Sequence, residues 1–262
     1  MKIMGIINLT PDSFYHNSRS KSIDEIQLKI EEYTSNNVDI IDIGAESSRP
    51  GSYQISKEEE LDRLKPIFKL IKDYPKIQFS IDTYKSEVAE VCLSNGFTIV
   101  NDIYSGTKDK NILNIIYKYN AKFIMMHMKG SPLDMQKNIH YDNIIFEINE
   151  FFKEQLIKSY DIGINTNNII IDPGIGFGKS LEDNYLIINN LNAFKIHNVP
   201  VLIGPSRKSF LSLDNDTADE RLAGSIVSST IAFQKGADYI RVHDVKEINK
   251  CIEINKNFLI YN

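Results

Sequence analysis

Short runs of β-branched and other apolar residues alternate with longer stretches of helical periodicity along this whole chain, and that alternation leaves few folds open. Ile3 to Asn8, Val38 to Ile43, Ile77 to Ile81, Phe97 to Val100, Lys122 to Met126, Ile169 to Ile171, Val199 to Ile203 and Tyr239 to Val242 read as strands. Their brevity and near-continuous apolar character suit strands buried on both faces. A capping box of Ser22 and Glu25 starts a helix carrying Ile23, Ile26, Ile30 and Tyr33. Ser56 and Glu59 open a second, running through Leu61, Leu64, Phe68 and Leu70. Further helices are expected around Val88 to Leu93, about 109–119, about 141–160, about 182–190, about 219–234 and Ile248 to Ile254. Eight strand-then-helix units in 262 residues, with no composition shift or low-complexity linker, predict an α/β fold: a single (β/α)8 TIM barrel spanning 1-262. An open doubly wound sheet is the alternative.

Charge and cysteine usage narrow the partners. A net charge of -5 without a clustered basic run argues against nucleic acid. Cys92 and Cys251 stand far apart and lack metal-ligand spacing, so neither a disulfide framework nor a zinc site is indicated, and a reducing cytoplasmic setting fits. The apolar opening Met1 to Ile7 is too short for a signal sequence, and no stretch approaches membrane-spanning length.

In such a barrel the C-terminal ends of the strands form one mouth, and polar residues there are the candidates for function. Asn8, Glu46, Asp82, Asn101, His127, Asp172, Lys208 and His243 all stand at or just beyond a strand end. Asp172 opens the segment Asp172-Pro-Gly-Ile-Gly-Phe-Gly-Lys179, whose Pro173 stops the strand and whose glycines permit close approach of the backbone. That segment is not a nucleotide P-loop, because the first required glycine would fall on Pro173. Asp82, Asn101 and Asp172 suit a flat heterocycle presenting adjacent N–H donors, since a carboxylate accepts two donors side by side. Arg49, Lys208, Arg241 and His243 suit an anion such as a diphosphate, and Ser206 to Ser209 is expected to begin a short helix beside it. Asp42 and Glu46 read as internal polar struts, His127 as a satisfied rim histidine, Asp102 as a helix cap or a brace for Asn101, and Lys179 and Arg207 equally well as solvated charges. A Schiff-base aldolase using Lys208 is a further possibility for the same mouth.

Several segments resemble dihydropteroate synthases in both order and spacing. They are Asn8-Leu-Thr-Pro-Asp-Ser-Phe14, Glu46-Ser-Ser-Arg-Pro-Gly51, Ile81-Asp-Thr83, Asn101-Asp102, Met126-His127, Asp172 to Lys179, Ser206-Arg-Lys208 and Arg241-Val-His-Asp-Val245. The resemblance implies a (β/α)8 barrel that condenses 6-hydroxymethyl-7,8-dihydropterin diphosphate with p-aminobenzoate to dihydropteroate and diphosphate in folate synthesis. It implies a pterin pocket of Asp82, Asn101, Asp172 and Lys208 packed by Met126 and Phe177, with Asp82, Asp172 and Lys208 as the catalytic set. Ser48, Arg241 and His243 would be diphosphate contacts, Arg49, Pro50 and Ser206 would lie near the aminobenzoate, and Asn8 would hold Mg2+ through its side-chain oxygen. A homodimer, no nucleic acid and no membrane partner are expected. The chain departs from the pattern at Ser48 and Ala45, where threonine and glycine are usual, and in Tyr15 to Ser20, which lacks the usual glycines of a closing loop. The same resemblance leaves two alternatives, a non-catalytic pterin-binding homologue and a corrinoid-linked methyltetrahydrofolate methyltransferase.

Overall fold

The computed structural model describes residues 1–9, 19–137 and 139–260. Thr10 to Phe14 of the first resembling segment, and Tyr15 to Ser18 of the loop without glycines, lie outside them. Among the described residues are eight strands: β1 (Lys2–Asn8), β2 (Ile40–Gly44), β3 (Gln78–Asp82), β4 (Ile99–Asp102), β5 (Lys122–Met126), β6 (Ile169–Asp172), β7 (Leu202–Ile203) and β8 (Tyr239–Val242). All pair in parallel in the order β6-β5-β4-β3-β2-β1-β8-β7. The two edges meet at one bridge, Ile171 to Val201, where the Ile171 N–H donates to the Pro200 carbonyl at 2.9 Å. The sheet therefore rolls into the predicted barrel, closed most thinly between β6 and β7.

The helices between the strands are α1 (Arg19–Ser35), α2 (Lys57–Leu64), α3 (Ile67–Leu70), α4 (Ser86–Ser94), α5 (Asn111–Tyr119), α6 (Ile144–Ile162), α7 (Leu181–Asn189), α8 (Leu222–Gln234) and α9 (Val245–Ile260). Two expectations need correction. α1 begins three residues before Ser22, so Ser22 lies within the helix and does not cap it; end positions are weakly fixed by sequence. The helix opened by Ser56, whose side chain does accept from the Glu59 N–H at 3.1 Å, stops after Leu64 and resumes at Ile67. Pro66 between the two pieces has no N–H to give and cannot continue a helical ladder.

Alternation along each strand sorts the side chains into two cores. Met4, Ile40, Ile99, Ile124, Ile170, Leu202 and Tyr239 form the cluster inside the barrel. Their neighbours, such as Ile41, Ile43, Val100, Phe123, Met125 and Ile171, join the larger cluster between strands and helices. Each fully buried side chain of this size contributes about 1.5–3 kcal/mol. A period of two carries the inward parity to the mouth: Asn8, Asp42, Asp82, Asn101, Met126, Asp172 and Arg241 share the parity of the inner cluster on their strands.

Candidate active site

One row of the barrel register runs Asn8, Gly44, Asp82, Asn101, Ile124 and Ile170, which brings three polar side chains, from β1, β3 and β4, to one level with the bare Gly44 of β2 between the first two. Gly44 leaves the space between its neighbours open. A Cβ there would lie 3.6 Å from Asp82 Oδ2 and 3.7 Å from Asn8 Oδ1, so these two oxygens converge over the bare backbone. Asp172 comes from the next level of β6, beside Met126, and its Oδ1 accepts the Gly174 N–H at 2.7 Å.

Arg241 enters from β8 and meets two carboxylates. Its Nη2 lies 2.6 Å from Asp42 Oδ2 and 2.9 Å from Asp82 Oδ2, and its Nε donates to Asp42 Oδ2 at 2.7 Å. The same Asp42 oxygen accepts from Asn101 Nδ2 at 3.1 Å. Asp42 is thus the polar strut expected of it. Burial raises the Asp82 carboxyl to about 7; Arg241 opposes that rise, and the charges of Asp42, Glu60 and Asp102 add to it. Burial also raises Asp172, against the pull of Lys208 and the Gly174 N–H.

Lys208 follows β7. The expected helix at Ser206 is not formed; residues 206–208 are loop, and one 3-10 turn covers Ser209–Leu211. In that loop the Lys208 ammonium donates to the Ile175 carbonyl and lies 4.5 Å from the centre of the Phe177 ring. Desolvation lowers Lys208 to about 8, with Asp172 pulling the other way. Ser206 Oγ is 3.1 Å from His243 Nδ1 and accepts the His243 backbone N–H at 3.2 Å. Burial and the charges of Arg241, Arg207 and Arg49 hold His243 down to about 3, so its ring is neutral at pH 7. An Nδ1 that accepts from the serine hydroxyl puts the ring proton on Nε2.

The glycine segment has a local cause. Gly174 and Gly178 have φ of +68° and +66°, and a Cβ would fall 2.0 Å from the His127 carbonyl oxygen at the first and 2.3 Å from that of Lys129 at the second. No side chain fits either place. The loop after β6 therefore lies directly on the loop after β5, and Lys179 ties the two: its ammonium is buried and sits 2.8 Å from both Nδ1 and the carbonyl of His127. This overturns the solvated reading of Lys179. His127 does not join the mouth. It points between β5 and α6, edge-on to Phe151 at 5.0 Å, because it has the outward parity. Glu46 is the polar strut expected of it: it pairs with Lys85 at 2.5 Å, which also holds Glu60, and lines the cleft beside Asp82. Asp102 accepts from the N–H groups of Tyr104 and Gly106, bracing its own loop, and Arg207 pairs with Asp244 and Asp219.

Ser48, half-buried, lines a cleft with Asp82, Tyr84, Tyr104 and Leu133. Arg49 and Pro50 are exposed at the end of the same loop, which is fastened by the Gly51 N–H to the Pro132 carbonyl at 2.9 Å. The mouth thus joins a ring of acceptors to basic donors. No helix among the described residues is long and apolar enough to cross a membrane.

Three comparisons bear on the family and the fold. The family described as "Pterin binding enzyme" matches residues 4–243. A dihydropteroate synthase of Clostridium beijerinckii is 41% identical over 254 residues, covering 96% of this chain and 92% of its own length. The barrel superimposes on the Yersinia pestis dihydropteroate synthase solved with a sulfonamide drug, with a TM-score of 0.92 and 35% identity over 100% of this chain and 94% of that one. It also superimposes on the Xanthomonas albilineans dihydropteroate synthase solved with 4-aminobenzoic acid, with a TM-score of 0.91 and 30% identity over 98% and 93% of the two chains.

Proposed function

This chain belongs to the pterin-binding enzyme family, and from that premise we infer that it is a transferase of folate biosynthesis acting as a dihydropteroate synthase. It condenses 6-hydroxymethyl-7,8-dihydropterin diphosphate with p-aminobenzoate. The observation that carries the reading is the inward-facing set of Asp82, Asn101 and Asp172, with Arg241, Lys208 and His243 around the same mouth.

Asp82 and Asp172 accept the N–H donors of the pterin ring, the Asn101 carbonyl accepts another, and the Lys208 ammonium donates to a ring acceptor, with Phe177 and Met126 as apolar walls. Arg241, the Nε2–H of His243 and the Ser48 hydroxyl receive the diphosphate. The C–O bond to the exocyclic methylene breaks, its electron pair leaves with the diphosphate, and the cation spreads into the ring between two carboxylates. The aminobenzoate nitrogen then supplies its lone pair to the methylene carbon and loses a proton afterwards, an S_N1-like course. Ser206, Arg49 and Pro50 border the entry of the aminobenzoate; the Arg49 charge is near enough to His243 to help keep that ring neutral.

Asn8 would hold Mg2+, which would neutralise charge on the leaving diphosphate when bound. The donor present fits a hard cation, because the amide oxygen of Asn8 is an oxygen ligand and converges with an Asp82 carboxylate oxygen over Gly44. A cation held chiefly by substrate oxygens and water needs few protein ligands, in keeping with the lack, among the described residues, of any cluster of three or more His, Cys, Asp or Glu able to hold a metal alone. A cytoplasmic homodimer is the expected working form, and sedimentation of the purified protein checks the dimer.

Rapid, multiple-turnover diphosphate release that requires both organic substrates and Mg2+ is the expected result, and it separates this reading from a non-catalytic pterin-binding protein and from a methyltransferase. Slow release from the pterin diphosphate alone supports prior departure of the leaving group; no release over long incubation points to concerted displacement.

A further inference from the structure

We infer that Asp42 is a positioning residue of the pterin site, turning the Asn101 amide so that its carbonyl faces the ring and restraining Arg241 from closing fully onto Asp82. The inference rests on the pterin-binding reading above. Asp42 is completely buried, within β2, and cannot reach solvent or substrate as a free group. One of its oxygens, Oδ2, takes Asn101 Nδ2 at 3.1 Å and Arg241 Nε at 2.7 Å, and also lies 2.6 Å from Arg241 Nη2. The other, Oδ1, is buried without a partner in the structure.

A carboxylate can only accept, so the Asn101 amide must present its NH2 end to Asp42; the reverse orientation would set two oxygens against each other in a buried place. The carbonyl end is thereby committed to the opposite side, as an acceptor for a ring N–H. Without Asp42 the amide has no reason to prefer that orientation, and an amide turned end for end would offer a donor where the ring also offers one. The second restraint concerns charge. Arg241 Nη2 is shared between Asp42 at 2.6 Å and Asp82 at 2.9 Å. Removing Asp42 leaves Asp82 as the counter-ion nearest to that guanidinium, and an Asp82 so engaged has less capacity for the ring. Both consequences fall on ring recognition, and neither touches the aminobenzoate.

The test uses the full-length Asp42→Ala variant, which removes the acceptor together with its charge. Binding of 6-hydroxymethylpterin, which has the ring but no diphosphate, is measured by titration calorimetry. The expected loss is about 10- to 100-fold, the range for removing one or two charge-assisted hydrogen bonds. KM for the pterin diphosphate should rise in parallel while KM for p-aminobenzoate stays unchanged. In an Asn101→Ala background the same change should cost markedly less, because the amide it orients is gone. Native circular dichroism with wild-type ring affinity, or fully additive losses in the two backgrounds, would overturn the inference. If Asp42→Ala yields no folded protein, Asp42→Val, which also offers no acceptor, carries the same readouts. Failure of the wild-type enzyme itself to bind 6-hydroxymethylpterin would remove the functional reading, and this inference with it.

Discussion

At the scale of single residues the mouth holds ionisable groups displaced toward neutral pH from opposite directions. Burial brings Asp82 up to about 7 and Lys208 down to about 8. Productive binding needs the carboxylate ionised and the ammonium protonated. kcat/KM should therefore rise as Asp82 loses its proton through pH 7 and fall as Lys208 loses its own above pH 8, a bell with limbs near those values. Lys208→Ala should lower kcat/KM by about 100-fold and erase the alkaline limb; near-wild-type turnover would remove Lys208 from the site. Gly174→Ala tests the loop contact: with φ at +68° and a Cβ 2.0 Å from the His127 oxygen, it should cost at least about 2 kcal/mol in urea unfolding. Asp82, Asn101 and Asp172 were legible in the sequence because each ends a strand with inward parity. His127 is satisfied as expected, by Lys179, but outside the mouth, because counting strand ends ignores parity. The burial of Lys179 was invisible, since its partner is 52 residues away and only the folded chain brings the two loops together.

At the scale of elements, strands were read more accurately than helix ends. The order of all eight strands follows from short apolar runs, whereas the start of α1 and the break before α3 depend on backbone choices that apolar spacing does not report. β7 shows the limit in another way. Val199 to Ile203 reads as five strand residues, but only Leu202–Ile203 form the ladder strand, with Val201 contributing a single bridge to Ile171. β2, by contrast, is paired along its full length on both sides. Amide hydrogen exchange should follow this difference, with Val201 and Ile171 exchanging earlier than Ile41 and Ile43; equal protection would mean that the join is as firm as the rest of the barrel.

At the scale of the whole molecule, the cooperative unit can be followed through a cysteine. Cys92 is fully buried on α4, and desolvation pushes its thiol well above the ordinary range, whereas Cys251 is only half-buried. A thiol reagent at neutral pH should leave Cys92 unmodified in the native enzyme and label it at the rate of unfolding; rapid native labelling would show that the helical shell opens by itself. The thin join between β6 and β7 has a further consequence for how the chain can be divided. A break in the backbone at Asn198 would separate a six-stranded piece from one carrying β7 and β8, and the latter would still have the first half of the β1 edge to dock on, through the register of Lys2 to Gly5 with Tyr239 to Val242. Co-expressed halves should therefore copurify and regain diphosphate release, making this barrel a split enzyme whose activity reports the meeting of its parts.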